Sequence, residues 1–192
     1  IRILDKQVAD KIAAGEVIER PVSIIKELVE NSIDAGADSI VIEIKKGGKE
    51  YIRVTDNGCG IAAEEAERAF LRHATSKINT AQDFDAIETL GFRGEALASV
   101  CAVTRTELLT KQAENKVGTR LVIHGGEVIS RRPYGCPDGT TLIITDLFYN
   151  TPARLKFMKN DSAESSLITD FISRMSLAYD DIAFRFINNG NV

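Results

Sequence analysis

The chain has 192 residues, 44% of them apolar and 27% charged, and its formal net charge is −4. A chain of this size buries roughly 70% of the surface its unfolded form exposes, enough for one core without disulfides or metals, so a single domain is expected. This composition excludes disorder, collagen-like repeats and coiled coil, and the acidic balance argues against a dedicated nucleic-acid binder, which needs clustered Lys and Arg.

Asp5 caps a short predicted helix through Val8, Ile12 and Ala13 that Gly15 stops. Arg20-Pro21 opens a longer one, in which Val22, Ile25, Leu28, Val29 and Ile33 recur at three- and four-residue intervals until Gly36. Pro at the first turn and Gly past the end mark its limits. Ile40, Ile42 and Ile44 alternate with Val41, Glu43 and Lys45, Gly47-Gly48 turns, and Ile52 and Val54 resume the alternation, which reads as a β-hairpin. Asp56-Asn57-Gly58-Cys59-Gly60 ends the second strand in a tight loop, and residues 62–71 read as a helix. Residues 73–89 are polar and weakly periodic, which predicts a mobile segment. Gly91-Phe92-Arg93-Gly94-Glu95 then leads into a helix at Ala96. Strands are predicted over 103–110, 119–124 and 141–145, a short helix from Thr151-Pro152, a long one over 162–179 and a last strand over 183–187. Helices grouped with a largely antiparallel sheet make the chain α+β, a two-layer sandwich.

Cys59, Cys101 and Cys136 are an odd number at wide spacings with no CxxC pair, and His73 and His124 are the only histidines, so a reducing cytoplasm is expected rather than a disulfide framework or structural zinc. No secretion signal is visible, and nowhere do 18 apolar residues follow one another, which leaves no membrane-spanning helix. The chain opens at Ile1 rather than Met, so a fragment is expected.

At 100° per residue, Glu27, Glu30, Asn31 and Asp34 share one face of the long helix, opposite Ile25, Leu28, Val29 and Ile33. Such faces are usually solvated. Here the like-charge pairs Glu27/Glu30 and Glu30/Asp34 have no cation between them, and a bound cation would relieve the repulsion. An oxygen ligand such as Asn31 beside a carboxylate suits Mg²⁺, which takes its remaining ligands from water and phosphates. Asp56, at a strand end, is either an Asx-turn residue or an acceptor for an exocyclic amine, which adenine has and guanine lacks. Gly58 to Ala63 fits G-x-G-x-x-A, but the preceding strand belongs to a hairpin, so a Rossmann site is discounted, and no P-loop is present. If phosphates bind, the expected cradle is Gly91-Phe92-Arg93-Gly94. His73, Lys77, Arg131-Arg132 and the group Arg154, Lys156 and Lys159 read as solvated charge.

Lys26-Glu27-Leu28-Val29-Glu30-Asn31-Ser32-Ile33-Asp34-Ala35-Gly36, Asp56-Asn57-Gly58-Cys59-Gly60-Ile61 and Gly91-Phe92-Arg93-Gly94-Glu95-Ala96-Leu97 occur in order. Together they resemble the ATP-binding motifs shared by gyrase, Hsp90, histidine kinases and MutL. Ile12-Ala13-Ala14-Gly15-Glu16-Val17, Arg72-His73-Ala74-Thr75-Ser76-Lys77 and the run from Asp146 to Arg154 resemble the MutL family of DNA mismatch-repair proteins, over nearly the whole chain.

The resemblance implies the Bergerat-type ATP-binding fold, with helices on a mixed, mostly antiparallel sheet. It implies ATP and Mg²⁺ as cofactors, Glu27 as the general base, Asn31 as the Mg²⁺ ligand, and Asp56 on the adenine amine with support from Thr141. Gly58 and Gly60 would let the chain pass close to the nucleotide. A lid at about 72–95 would bring Thr75, Ser76 and Lys77 near it, with Gly91, Phe92, Arg93, Gly94, Glu95, Ala96 and Leu97 around the phosphates. It further implies an ATP-dependent homodimer working with a MutS-like mismatch-recognition protein and a strand-processing nuclease and helicase, and DNA binding through the intact protein. A following domain would supply a lysine to the γ-phosphate, and a C-terminal domain would dimerise. The alternative is a nucleotide-gated scaffold without turnover.

Overall fold

Alternation of one apolar with one polar residue builds the centre of the molecule. The computed structural model describes residues 14–15, 17–74, 90 and 94–192. Seven strands, β1 (Ser39–Lys45), β2 (Tyr51–Asp56), β3 (Arg105–Lys111), β4 (Gly118–His124), β5 (Glu127–Tyr134), β6 (Gly139–Thr145) and β7 (Ala183–Asn188), form one sheet in the order β5-β4-β3-β6-β2-β1-β7. Neighbours pair antiparallel except β1 and β7, which run parallel. Ile40, Ile42, Ile44, Ile52, Val54, Leu108, Leu121, Ile123, Leu142 and Ile144 are buried along one face. That period of two is what a strand with one covered face requires.

Helices α1 (Pro21–Asp34), α2 (Ala96–Ala102), α3 (Pro152–Leu155) and α4 (Asp161–Ala178) accompany the sheet. Ile24, Ile25, Leu28 and Val29 of α1 are buried over β2, while α4 contributes Ile168 and Ile172 and packs beside α1, the 46–48 turn and β7. α2 lies against α1, β3 and β4. The result is the expected α+β two-layer sandwich.

Two expectations need correction. Residues 62–71 do not form an α-helix; they fold as successive turns with a 3-10 segment at Arg68–Phe70. Only Ala66 of that stretch is fully buried, so too few apolar side chains reach the core to stabilise a longer helix. The second correction is β5, a strand that the sequence does not predict, although Arg131 and Arg132 within it are exposed as expected. Every residue of β5 is exposed, so it has no covered face and no alternation to betray it. Pro133 is tolerated because β5 is an edge strand. The helix predicted from Asp5 and the polar segment over 75–89 lie outside the described residues.

Gly139 begins β6 at φ +99°, where an added Cβ would overlap the backbone carbonyl of Asp56. Gly139→Ala is therefore expected to lower stability by about 3 kcal/mol, read as a lower urea midpoint at unchanged m-value. An unchanged midpoint would show that the β2–β6 approach is looser than described.

Candidate functional site

The β2 alternation that buries Ile52 and Val54 delivers Asp56, 9% exposed, to the next core-facing position. A carboxylate there needs partners, and it has three. Oδ2 accepts a 2.9 Å hydrogen bond from the Ser32 hydroxyl of α1. Oδ1 accepts backbone N–H bonds from Gly58 at 3.0 Å and Thr140 at 3.1 Å. The Gly58 bond is an Asx-turn, so the turn reading is realised, yet it engages only one of the two oxygens. Burial pushes the Asp56 carboxyl above its ordinary value, while the bonds from Gly58, Ser32 and Thr140 pull it down. Ser32 also lies 3.0 Å from the Leu28 carbonyl oxygen. Its single hydroxyl hydrogen goes to Asp56 while Asp56 is ionised and is released to Leu28 when the carboxyl is protonated.

The strand register extends this polar spot into a row. Asp56 pairs with Thr140, and Thr140 with Thr110. Thr110 Oγ1 lies 3.1 Å from Thr140 Oγ1, donates to the Gly139 carbonyl at 3.1 Å and accepts the Ile61 N–H at 2.9 Å. Thr141 stands one residue on and so points through the opposite face, where its hydroxyl donates to Thr55 at 3.1 Å. The cavity it lines there with Val41 and Leu109 reaches Asp56, Asn57 and Thr140 at the strand ends. It is the backbone of Thr140 that bonds Asp56 directly.

The loop after β2 is pinned to the end of α1. Cys59 N–H donates to the Ala35 carbonyl at 3.0 Å, and an added Cβ on Gly58 would stand 2.8 Å from that oxygen. Gly60 has φ +69° and runs against Lys111. Asn57 ties the loop to β1, its Oδ1 accepting from the Asp38 and Ser39 N–H groups.

Along α1, Glu27, Glu30, Asn31 and Asp34 are all half-buried on the expected face. Lys26 sits 3.8 Å from Glu30 and so supplies part of the charge relief that the sequence argument assigned to a cation. Glu27 has no hydrogen-bond or ion-pair partner among the described residues. Asp34 Oδ1 accepts the N–H of Leu90 at 3.1 Å, which brings the chain just before Gly91 to the same helix. Across from it, Gly94 has φ +61°, and an added Cβ would meet the Ala74 carbonyl oxygen at 2.6 Å. Glu95 precedes α2 and pairs with His73 at 3.4 Å, and Ala96 and Leu97 form the first turn of α2. The two ends of the expected lid thus meet beside α1. Thr75, Ser76, Lys77, Gly91, Phe92 and Arg93 lie outside the described residues.

The arrangement joins a buried acceptor carboxylate, a free carboxylate with a carboxamide one turn on, and a close backbone approach on a helix-covered sheet. A profile described as "Histidine kinase-, DNA gyrase B-, and HSP90-like ATPase" matches residues 19–128. The chain belongs to this ATPase family. Within the histidine kinase-, gyrase- and HSP90-like ATPases, its curated relatives include the DNA mismatch repair protein MutL of Agathobacter rectalis, 54% identical over 98% of this chain and 29% of that protein. The MutL of Symbiobacterium thermophilum is 51% identical over 97% of the chain and 29% of that protein. The chain therefore spans less than a third of the length of these relatives. Among solved structures, the Aquifex aeolicus MutL ATPase domain complexed with ADP superposes with a TM-score of 0.77 at 32% identity, covering 91% of this chain and 62% of that one. The ATPase-family fold expected from the motifs is the fold observed.

The sequence reading missed Ser32, Thr110 and Thr140. Continuing the Ile52, Val54 alternation one step marks Asp56 as a core position and so calls for buried partners. Which residues they are depends on strand register, and that is not written in any local pattern.

Proposed function

We propose that the chain is the ATP-binding and hydrolysing domain of a MutL-like DNA mismatch-repair protein. The observation that carries this is Asp56. Oδ2 has one donor, so an ionised carboxylate keeps an acceptor site on that oxygen, fixed by partners from α1, the β2 loop and β6. The N6 amine of adenine matches such an acceptor, and the Aquifex aeolicus MutL ATPase domain complexed with ADP supports nucleotide binding by this fold.

Glu27 is the general base: its carboxylate takes a proton from the attacking water as the water oxygen bonds to the γ-phosphorus and the bond to ADP breaks. Asn31, one turn on, holds Mg²⁺. The all-oxygen donor set of Asn31 and the nearby carboxylates fits a cation that binds few protein groups and keeps water and phosphate ligands. When bound, Mg²⁺ neutralises phosphate charge. The lid, about residues 72–95, orders over the nucleotide, with Gly91 and Gly94 at the phosphates ahead of the first turn of α2.

In the intact protein, ATP binding orders the lid and brings two copies together. This changes contacts with a MutS-like mismatch-recognition protein and with a strand-processing nuclease and helicase, in the cytoplasm. DNA is held through the intact protein, and hydrolysis resets the cycle. Turnover by this chain alone is weak, because a following domain supplies a lysine to the γ-phosphate.

Calorimetry with a non-hydrolysable ATP analogue, run beside a phosphate-release assay on the intact protein, tests the reading. Binding with release supports it. Binding without release favours a nucleotide-gated scaffold, and absence of binding removes both.

Acid titration gives a sharper expectation. Protonating Asp56 removes the acceptor, so ATP affinity falls with pH as the carboxyl protonates, above the ordinary value of 3.8 because burial raises it. Ser32→Ala deletes a bond that keeps the carboxyl ionised, so the acid limb of binding should move to higher pH. Stability responds in the opposite sense. The native state binds this proton more tightly than the unfolded chain, so the group's destabilising effect is relieved as pH falls through its raised value. An acid limb that Ser32→Ala leaves in place would exclude Asp56 as the titrating acceptor.

A further inference from the structure

Two motifs that the nucleotide site does not use, the one around Gly15 and the one ending at Arg154, meet in the structure. Residues 146–154 form a turn that touches three elements around the site. Asp146 and Phe148 have φ of +55° and +63°, a region that non-glycine residues keep only where their surroundings over-determine it. The surroundings do so. Asp146 and Leu147 N–H groups bond to the Glu50 and Lys49 carbonyls ahead of β2, and Phe148, fully buried, donates its N–H to the Val103 carbonyl at 2.8 Å. Asn150 Nδ2 donates to the Ala102 carbonyl at 2.8 Å and so binds the last residue of α2.

The third contact is Arg154. Its guanidinium stacks 5.7 Å from the Phe148 ring centroid, donates to the Ile18 carbonyl at 3.4 Å and lies directly on Gly15. An added Cβ on Gly15 would fall inside the guanidinium. Gly15 has no positive φ, so a Cβ there would not strain the backbone; it would displace the Arg154 guanidinium. Ala14 and Ile18 on either side are fully buried. The contact uses the planar guanidinium, which stacks on the Phe148 ring while it donates to the Ile18 carbonyl, a shape that Lys lacks.

We infer that Arg154 is a positioning residue for ATP hydrolysis: clamped between Phe148 and Gly15, it fixes Gly15 and Ile18 and through them the first turns of α1, which carry Glu27. The catalytic part of this inference rests on the proposed role of Glu27; the clamp itself does not. The far end of α1 is held separately by Ser32 on Asp56 and by Cys59 on Ala35. Loosening the clamp therefore displaces the Glu27 end while leaving the adenine end seated. The expected signature is a loss in kcat per folded protein with little change in KM. An unfolded fraction would also lower kcat, so the unchanged exchange of the β1 and β2 amides is what separates positioning from a general loss of stability.

The test compares Arg154→Ala, Arg154→Lys, Gly15→Ala and the Arg154→Ala/Gly15→Ala pair. Amide hydrogen exchange of this chain should show residues 14–20 exchanging at least about tenfold faster in each single variant, with β1 and β2 amides unchanged. The pair should be no faster than either single change, because both remove one contact. In the intact protein, kcat should fall about tenfold with KM within about twofold of the parent. Lys keeps the charge but not the plane, so Arg154→Lys should behave like Arg154→Ala. Unchanged exchange at 14–20, effects that multiply in the pair, or full activity in Arg154→Lys would overturn the clamp. Should Arg154→Ala fail to fold, Gly15→Ala and Arg154→Lys still decide it. A parent protein that does not hydrolyse ATP would sink the ATPase reading, and the exchange result would still stand or fall by itself.

Discussion

Glu27→Ala is expected to leave binding of Mg-ATP within about twofold of the parent and to lower hydrolysis by about 10²- to 10⁴-fold, the usual contribution of a positioned general base. Glu27 is half-buried and has no hydrogen-bond or ion-pair partner among the described residues, so its removal breaks no structural contact. Alanine is the better helix former, so α1 should hold its shape. The effect thus falls on the chemical step. Calorimetry with a non-hydrolysable analogue and steady-state phosphate release, both on the intact protein, separate binding from turnover. Normal hydrolysis in this variant would show that another group activates the water, and lost binding would show that Glu27 holds nucleotide or metal.

The second large effect is on recognition of the base. Asp56→Asn should weaken ATP binding by about 2 kcal/mol, or about thirtyfold in Kd. An amide can keep its oxygen toward the Gly58 and Thr140 N–H groups, which leaves its NH₂ where Oδ2 now meets Ser32 and the open acceptor site. Ser32 adapts by turning its hydrogen to the Leu28 carbonyl. The adenine amine cannot adapt, because it then faces a donor. Guanine presents an oxygen at that position, so the variant's preference for ATP over GTP should shrink as well. Matching thermal midpoints would confine the effect to recognition. Unchanged ATP affinity would return Asp56 to the role of a turn residue.

Part of this site is legible from local pattern alone. The 3.6-residue period of α1 places Glu27, Glu30, Asn31 and Asp34 together, and each is half-buried on that face. The two-residue period of β2 points Asp56 inward. Other features depend on neighbours distant in sequence. Thr141 and Thr140 are adjacent in the chain and chemically identical, and only the β2–β6 register decides that Thr140 faces Asp56. Lys26 answers Glu30, a pairing overlooked when the acidic face was considered by itself. β5 has no covered face, so its strand conformation comes from pairing with β4 rather than from its own residues.

By itself the sequence determined the helix and strand periods, the ends of α1 at Pro21 and Gly36, and the ordered motifs that resemble an ATPase family. Those properties are local, set by how successive side chains project from one helix or strand. The tertiary structure decided the rest. It joined Ser32, Thr140 and Gly58 on one buried carboxylate, and it brought Arg154 onto Gly15 from far along the chain. Both are settled by strand register and by close approach between distant segments, where burial makes each polar group find a partner and each glycine leaves room for one.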